Sequence, residues 1–88
     1  MTLTQLQYVV AIAETKSMNK AAAALFVSQP ALSGAIKDLE EELQTELFIR
    51  TNKGIVITTE GQEFLSYARQ MVELGNLVEE RFVNKTIA

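Results

Sequence analysis

A chain of 88 residues that is 48% hydrophobic makes one small domain with a core of its own, near the size at which a partner begins to help. With no cysteine and no histidine it has neither a disulfide scaffold nor a thiolate metal site, and it lacks the commonest general base and metal ligand; no cofactor and no enzyme activity are expected. A net charge of −3 and a pI near 4.9 argue against a phosphate-rich partner unless the cations are segregated.

They are segregated. Lys16, Lys20, Lys37, Arg50 and Lys53 are the cations before residue 59, whereas the acids of that region, apart from Glu14, crowd into Asp38 to Glu46. A local basic face can therefore survive a negative total. No apolar run approaches the ~20 residues that span a bilayer. The opening MTLTQLQYVV has no basic n-region, so a signal peptide is not expected and a cytoplasmic location is.

Thr4 with Gln7 has the spacing of a capping box. Leu3, Leu6, Val10 and Ala13, with Val9 beside them, recur at helical intervals and predict a helix over about 4–15 with its stripe in the core. Lys16 to Asn19 breaks the pattern, and Ser17 can cap a second helix. Residues 19–26, NKAAAALF, predict that helix, a short one whose alanines permit close packing.

A third helix, from Ser28 to Leu43, organises the chain. Leu32, Ile36, Leu39 and Leu43 form its apolar back. Pro30, Ser33, Gly34 and Lys37 fall on the other side, a small polar front with one cation and no acid before Asp38. Ser28 is the natural N-cap, and Pro30 sits in the first turn, where its missing N–H costs nothing. Short helix, tight turn and longer helix follow the helix-turn-helix grammar, and such a front suits a DNA major groove. An ordinary surface helix or an αα-hairpin would have the same periodicity.

Two β-prone runs, Leu47-Phe48-Ile49 and Ile55-Val56-Ile57, flank a turn with Asn52 and Gly54 and predict a hairpin. Arg50 and Lys53 fall at or beside its tip, where cations reach phosphate or minor groove. Arg50 could also fold back onto the acids of the long helix. Thr58 or Thr59 then caps the last helix, Thr59 with Gln62 having the capping-box spacing. Phe64, Ala68, Met71, Gly75, Val78 and Phe82 follow at alternating four- and three-residue steps, widened by Leu65 and Val72. A helix this long exceeds what so small a domain can cover, so its seam predicts a homodimer interface. A membrane-surface helix is disfavoured, because Arg69, Arg81 and Lys85 are outnumbered by five acids. Glu40, Glu41 and Glu42 are consecutive and read as a solvated face. Ser28 and Ser33 have no base to activate them.

The chain resembles the N-terminal DNA-binding part of the LysR-type bacterial transcriptional regulators. The matching pieces are Leu3-x-x-Leu6 with Tyr8, Ser17-Met18, Ala21-Ala22, Leu25, and Ser28-Gln29-Pro30-Ala31-Leu32-Ser33. They continue with Ile36, Leu39-Glu40-x-x-Leu43, Leu47-Phe48-x-Arg50 and Thr58-x-x-Gly61. The resemblance implies a mainly α fold with a small β-hairpin. A winged helix-turn-helix would occupy residues 1–58, with the helix-turn-helix at about 18–37 and the wing at about 48–58. A linker helix would follow at 59–88 and dimerise. It further implies sequence-specific binding of double-stranded DNA at an operator with an interrupted palindrome. The small-molecule effector domain of such regulators is absent from this chain, and the full-length protein would assemble further, to a tetramer. By resemblance Gln29, Pro30 and Ser33 lie at the groove, Ser28 caps and meets phosphate, Lys37 lies further along, and Arg50 and Lys53 belong to the wing. Two positions depart from the family pattern: Gly34 stands where many members carry a basic residue, and Gln44 where a glycine commonly ends the helix. The alternative, motivated by the acidic pI, is a winged helix that docks protein and has no DNA affinity.

Overall fold

The structure, a computed structural model, describes residues 1–83. Helix α1 (Leu3–Thr15) starts at Thr2, whose Oγ1 accepts the Gln5 amide at 3.1 Å while the Gln5 carboxamide oxygen accepts the Thr2 amide at 2.9 Å. The capping box thus lies two residues ahead of the Thr4–Gln7 pair. Thr-x-x-Gln occurs twice near the start of this helix, and the earlier copy brings Leu3 into it, where Leu3 packs against Gly75. The buried face of α1 is Leu6, Val9, Ile12 and Ala13, so the stripe is rotated from the one counted through Leu3 and Val10.

Helix α2 (Met18–Leu25) is capped by Ser17, which accepts the Lys20 amide. Ala21 and Ala22 are buried, and their small side chains let α2 approach α1 and α3. The helix closes in a Schellman motif: the Val27 amide reaches the Ala22 carbonyl at 3.0 Å and the Phe26 amide reaches Ala23 at 3.2 Å. Phe26 takes the left-handed conformation (φ 57°) and is 94% exposed. The left-handed backbone strains a side chain that no packing compensates. Phe26→Gly is therefore expected to raise stability by about 0.5–1 kcal/mol, a rise in Tm of several degrees that a thermal melt reads.

Helix α3 (Gln29–Leu43) begins at Ser28, which accepts the Ala31 amide at 3.1 Å, with Pro30 as its second residue. Leu32, Ile36 and Leu39 are buried. The helix stops at Gln44, left-handed at φ 54°, with the Thr45 amide on the Glu40 carbonyl at 3.1 Å. Glutamine thus fills the conformation that glycine would favour, and its Nε2 donates to the Glu41 carbonyl at 2.7 Å.

Strands β1 (Phe48–Thr51) and β2 (Gly54–Ile57) pair antiparallel, Phe48 opposite Ile57 and Arg50 opposite Ile55, around a turn of Asn52 and Lys53. The Ile55 amide donates to the Lys16 carbonyl at 3.1 Å, fixing the hairpin to the end of α1. Gly54 permits this approach, having φ 122° and leaving 2.8 Å between an added Cβ and that same carbonyl. Helix α4 (Thr59–Val78), continued by a π-helical turn over Glu79–Val83, is capped by Thr58. Thr58 Oγ1 accepts the Gly61 amide at 2.9 Å and donates to the Glu46 carbonyl at 2.6 Å. The cap is therefore one residue earlier than the Thr59–Gln62 pair, because the Thr58 hydroxyl also closes the hairpin onto the helix. Helix α1 lies at the centre, touching α2, α3, α4 and β2. Leu6, Val9, Ile12, Leu32, Leu39 and Leu47 form the innermost core.

Candidate nucleic-acid interface

The leading turns of α3 stand free. Ser28, Gln29, Pro30, Gly34 and Lys37 are exposed, and Ser33 is half-buried. A Cβ added at Gly34 would meet nothing within 4 Å, so the glycine is not required by packing inside the chain. Behind this front the leucines and Ile36 hold α3 to the core, and the Gln5 carboxamide donates to the Ala35 carbonyl at 3.3 Å.

Strand alternation orients the wing. Residues directly opposite in an antiparallel pair share a face, and Ile55, opposite Arg50, is buried. Arg50 therefore points inward toward α3, while Ile49 and Val56 point out and are about half exposed. Arg50 does fold back onto the long helix, but onto the hydroxyl of Ser33, to which its guanidinium donates, and not onto an acid. Lys53 occupies the exposed tip.

Glu40 is the residue that sequence reasoning missed. Its Oε2 accepts the Leu47 amide at 2.6 Å and the Phe48 amide at 3.2 Å, so it anchors the start of β1. A run of three glutamates suggests only solvated charge. The available signal was spacing: Ser33, Lys37 and Glu40 are four and three residues apart, on one stripe of α3. The stripe's two end residues hold β1 at two points. The start of β1 is thus tied by its amides to one end of the stripe, and Arg50, two residues further on, reaches the other end through its side chain.

The electrostatics are those of unpaired cations. Among the described residues the one ion pair joins the Met1 amino group to Glu42 at 2.6 Å. Lys16, Lys20, Lys37, Arg50 and Lys53 have no carboxylate partner there, and the exposed acids Asp38, Glu41, Glu42 and Glu46 lie toward or beyond the other end of α3.

Helix α4 corrects the seam. Ala68 is 1% exposed, against α1 in the chain's own core, and an added Cβ at Gly75 would lie 3.0 Å from Leu3 Cδ2. Ala68 is thus not free to meet a second copy, and the half-buried Gly75 faces Leu3. Leu65 and Val72 belong to the same inner face, and Phe64 is half-buried beside it. The face without a partner carries Tyr67, Met71, Leu74 and Val78, at steps of four, three and four, with Phe82 beyond. Counting from Phe64 and Ala68 mixed the two faces, because a long helix here has one apolar stripe for its own domain and a second about 100° away. Residues 84–88, including Lys85, lie outside the described residues. No described helix is long and apolar enough to cross a membrane.

A family model described as bacterial regulatory helix-turn-helix protein, lysR family, matches residues 3–62. The chain belongs to the LysR family. This LysR-family chain is 40% identical over 74 residues to YxjO of Bacillus subtilis, an uncharacterized HTH-type transcriptional regulator, covering 84% of this chain and 25% of that one. It is 41% identical over 81 residues to the HTH-type transcriptional regulator BudR of Klebsiella aerogenes, covering 92% of this chain and 57% of BudR. It thus spans about a quarter of the length of YxjO and of similar curated relatives. Among solved structures it matches the DNA-binding domain of CbnR in complex with DNA, with a TM-score of 0.85 and 38% identity over 92% of this chain and 93% of that one. It also matches the BenM DNA-binding domain on catB site 1 DNA, with a TM-score of 0.83 and 39% identity over 99% and 96% of the two chains. The fold is the expected winged helix-turn-helix with a long C-terminal helix, and the chain is a LysR-family helix-turn-helix DNA-binding domain.

Proposed function

We propose that this domain binds double-stranded DNA sequence-specifically, as a dimer, and is the DNA-reading module of a bacterial transcriptional regulator. The first two turns of α3 enter the major groove, with Gln29, Pro30, Ser33 and Gly34 toward base edges and Ser28 and Lys37 toward the flanking phosphates. The wing lies over the backbone or minor groove, with Lys53 at its tip. The observation that carries this reading is the small, acid-free leading edge of α3, bordered by cations that no carboxylate neutralises among the described residues. Glycine at position 34 leaves the backbone accessible where a longer side chain would stand off the bases.

The exposed stripe Tyr67, Met71, Leu74 and Val78 supports pairing of two copies through α4, and two-fold pairing implies an operator with two inverted half-sites. Response to a small-molecule effector, and assembly to a tetramer, would reside in sequence beyond this domain. The protein acts in the cytoplasm, without a catalytic role.

Selection of duplexes from a random pool, followed by titration at two salt concentrations, tests the reading. Gln29→Ala is expected to weaken the selected site by about tenfold or more, the discrimination a bidentate amide–adenine contact supplies, and to leave random duplex unchanged. Equal losses on both would remove Gln29 from the groove. Negligible duplex affinity even at low salt would leave the winged helix as a protein-docking module.

A further inference from the structure

Given that DNA-reading function, on which this inference rests, the geometry points to Arg50 as a positioning residue that makes the Ser33 hydroxyl a hydrogen-bond donor toward the bases. A serine hydroxyl has one proton and two lone pairs, and left free it rotates to donate or accept. Here the Arg50 guanidinium occupies a lone pair of Ser33 Oγ, and among the described residues no acceptor takes the hydroxyl proton. The cation beside Oγ repels the positive end of any second donor and strengthens the remaining O–H as a donor.

The arrangement is built and not incidental. Pairing with buried Ile55 forces Arg50 toward α3, and Glu40 sets the position of β1 along the helix by holding the Leu47 and Phe48 amides. Ser33 lies on the same stripe as Glu40, seven residues before it, within reach of the Arg50 side chain. Its hydroxyl therefore meets the groove with its sense already chosen. In the major groove guanine and thymine offer acceptor oxygens and both purines offer N7, whereas cytosine offers its amino donor. Ser33 selects against cytosine at the base it faces. The other guanidinium N–H groups remain for phosphate, so one side chain serves both affinity and readout.

The test compares wild type, Ser33→Ala, Arg50→Met and the double variant on duplexes carrying each of the four bases at each position of the selected site. Thermal melts confirm that all four proteins fold. At one position the wild type is expected to disfavour cytosine by about three- to tenfold, a single hydrogen bond's worth. Ser33→Ala and Arg50→Met should each abolish that preference, and the double variant should lose no more than either alone. Arg50→Met also lowers affinity for every duplex through the lost phosphate contact; the ratio between bases is unaffected by that loss. Unchanged base ratios in Ser33→Ala, or in Arg50→Met while Ser33→Ala alters them, would overturn the positioning role. A wild type that selects no sequence would overturn the underlying function and this inference with it.

Discussion

Gly61→Ala is expected to lower stability by about 3 kcal/mol or more, at the upper end of what overpacking costs, a large fraction of what a domain this small possesses. A Cβ at position 61 would sit 2.3 Å from the Leu47 carbonyl oxygen, 3.1 Å from its carbon and 2.9 Å from Ile57 Cγ2. The first two are backbone. Leu47 cannot recede, because it is 1% exposed and its carbonyl accepts the Thr58 amide at 3.0 Å. Helix α4 would have to lift, losing the Thr58 cap and drawing Leu65 and Ala68 out of the core. Gly34→Ala is the control, since nothing surrounds its Cβ and alanine favours helix by about 1 kcal/mol. Urea titration of both variants gives the comparison, and a Gly61→Ala protein as stable as wild type would show that α4 is not seated on the hairpin as described.

With two copies pairing through α4 as proposed, Met71→Glu is expected to raise the dimer dissociation constant by about 100-fold or more. An isologous interface contains the substitution twice, and each carboxylate forced against apolar side chains costs several kcal/mol unless a partner satisfies it. Met71 is 47% exposed on the outer stripe of α4, so the protomer's own melt should move little. Ala68→Glu, by contrast, should unfold the protomer. Sedimentation across a concentration series separates the two cases. A Met71→Glu protein that remains a dimer would place pairing elsewhere, and one that dissociates should keep single half-site affinity while losing the gain from two half-sites.

Residue type and spacing determined much of this molecule. Ser17 and Ser28 are caps in the structure as in the pattern, Leu32, Ile36 and Leu39 are buried at their helical steps, and the turn with Asn52 and Gly54 is a hairpin. Local chemistry suffices there, because capping hydrogen bonds and amphipathic period act within one or two turns of chain. It was ambiguous where the sequence repeats its own signal. Thr-x-x-Gln occurs twice near the start of α1, and contact between Leu3 and Gly75 distinguishes the copies.

Three features came only from the tertiary structure, and each depends on a contact distant along the chain. The apolar positions of α4 are many enough for two faces, and only the packing of Ala68 and Gly75 on α1 assigns the inner one, leaving Tyr67, Met71, Leu74 and Val78 outside. Glu40 is one of three consecutive glutamates until the chain returns and presents two amides to it alone. Arg50 and Ser33 are 17 residues apart, and their hydrogen bond exists because strand register turns one inward while helix phase turns the other outward. Periodicity specifies which side of an element is apolar; the angle between two elements, and hence which polar groups meet, is set by how their cores interlock.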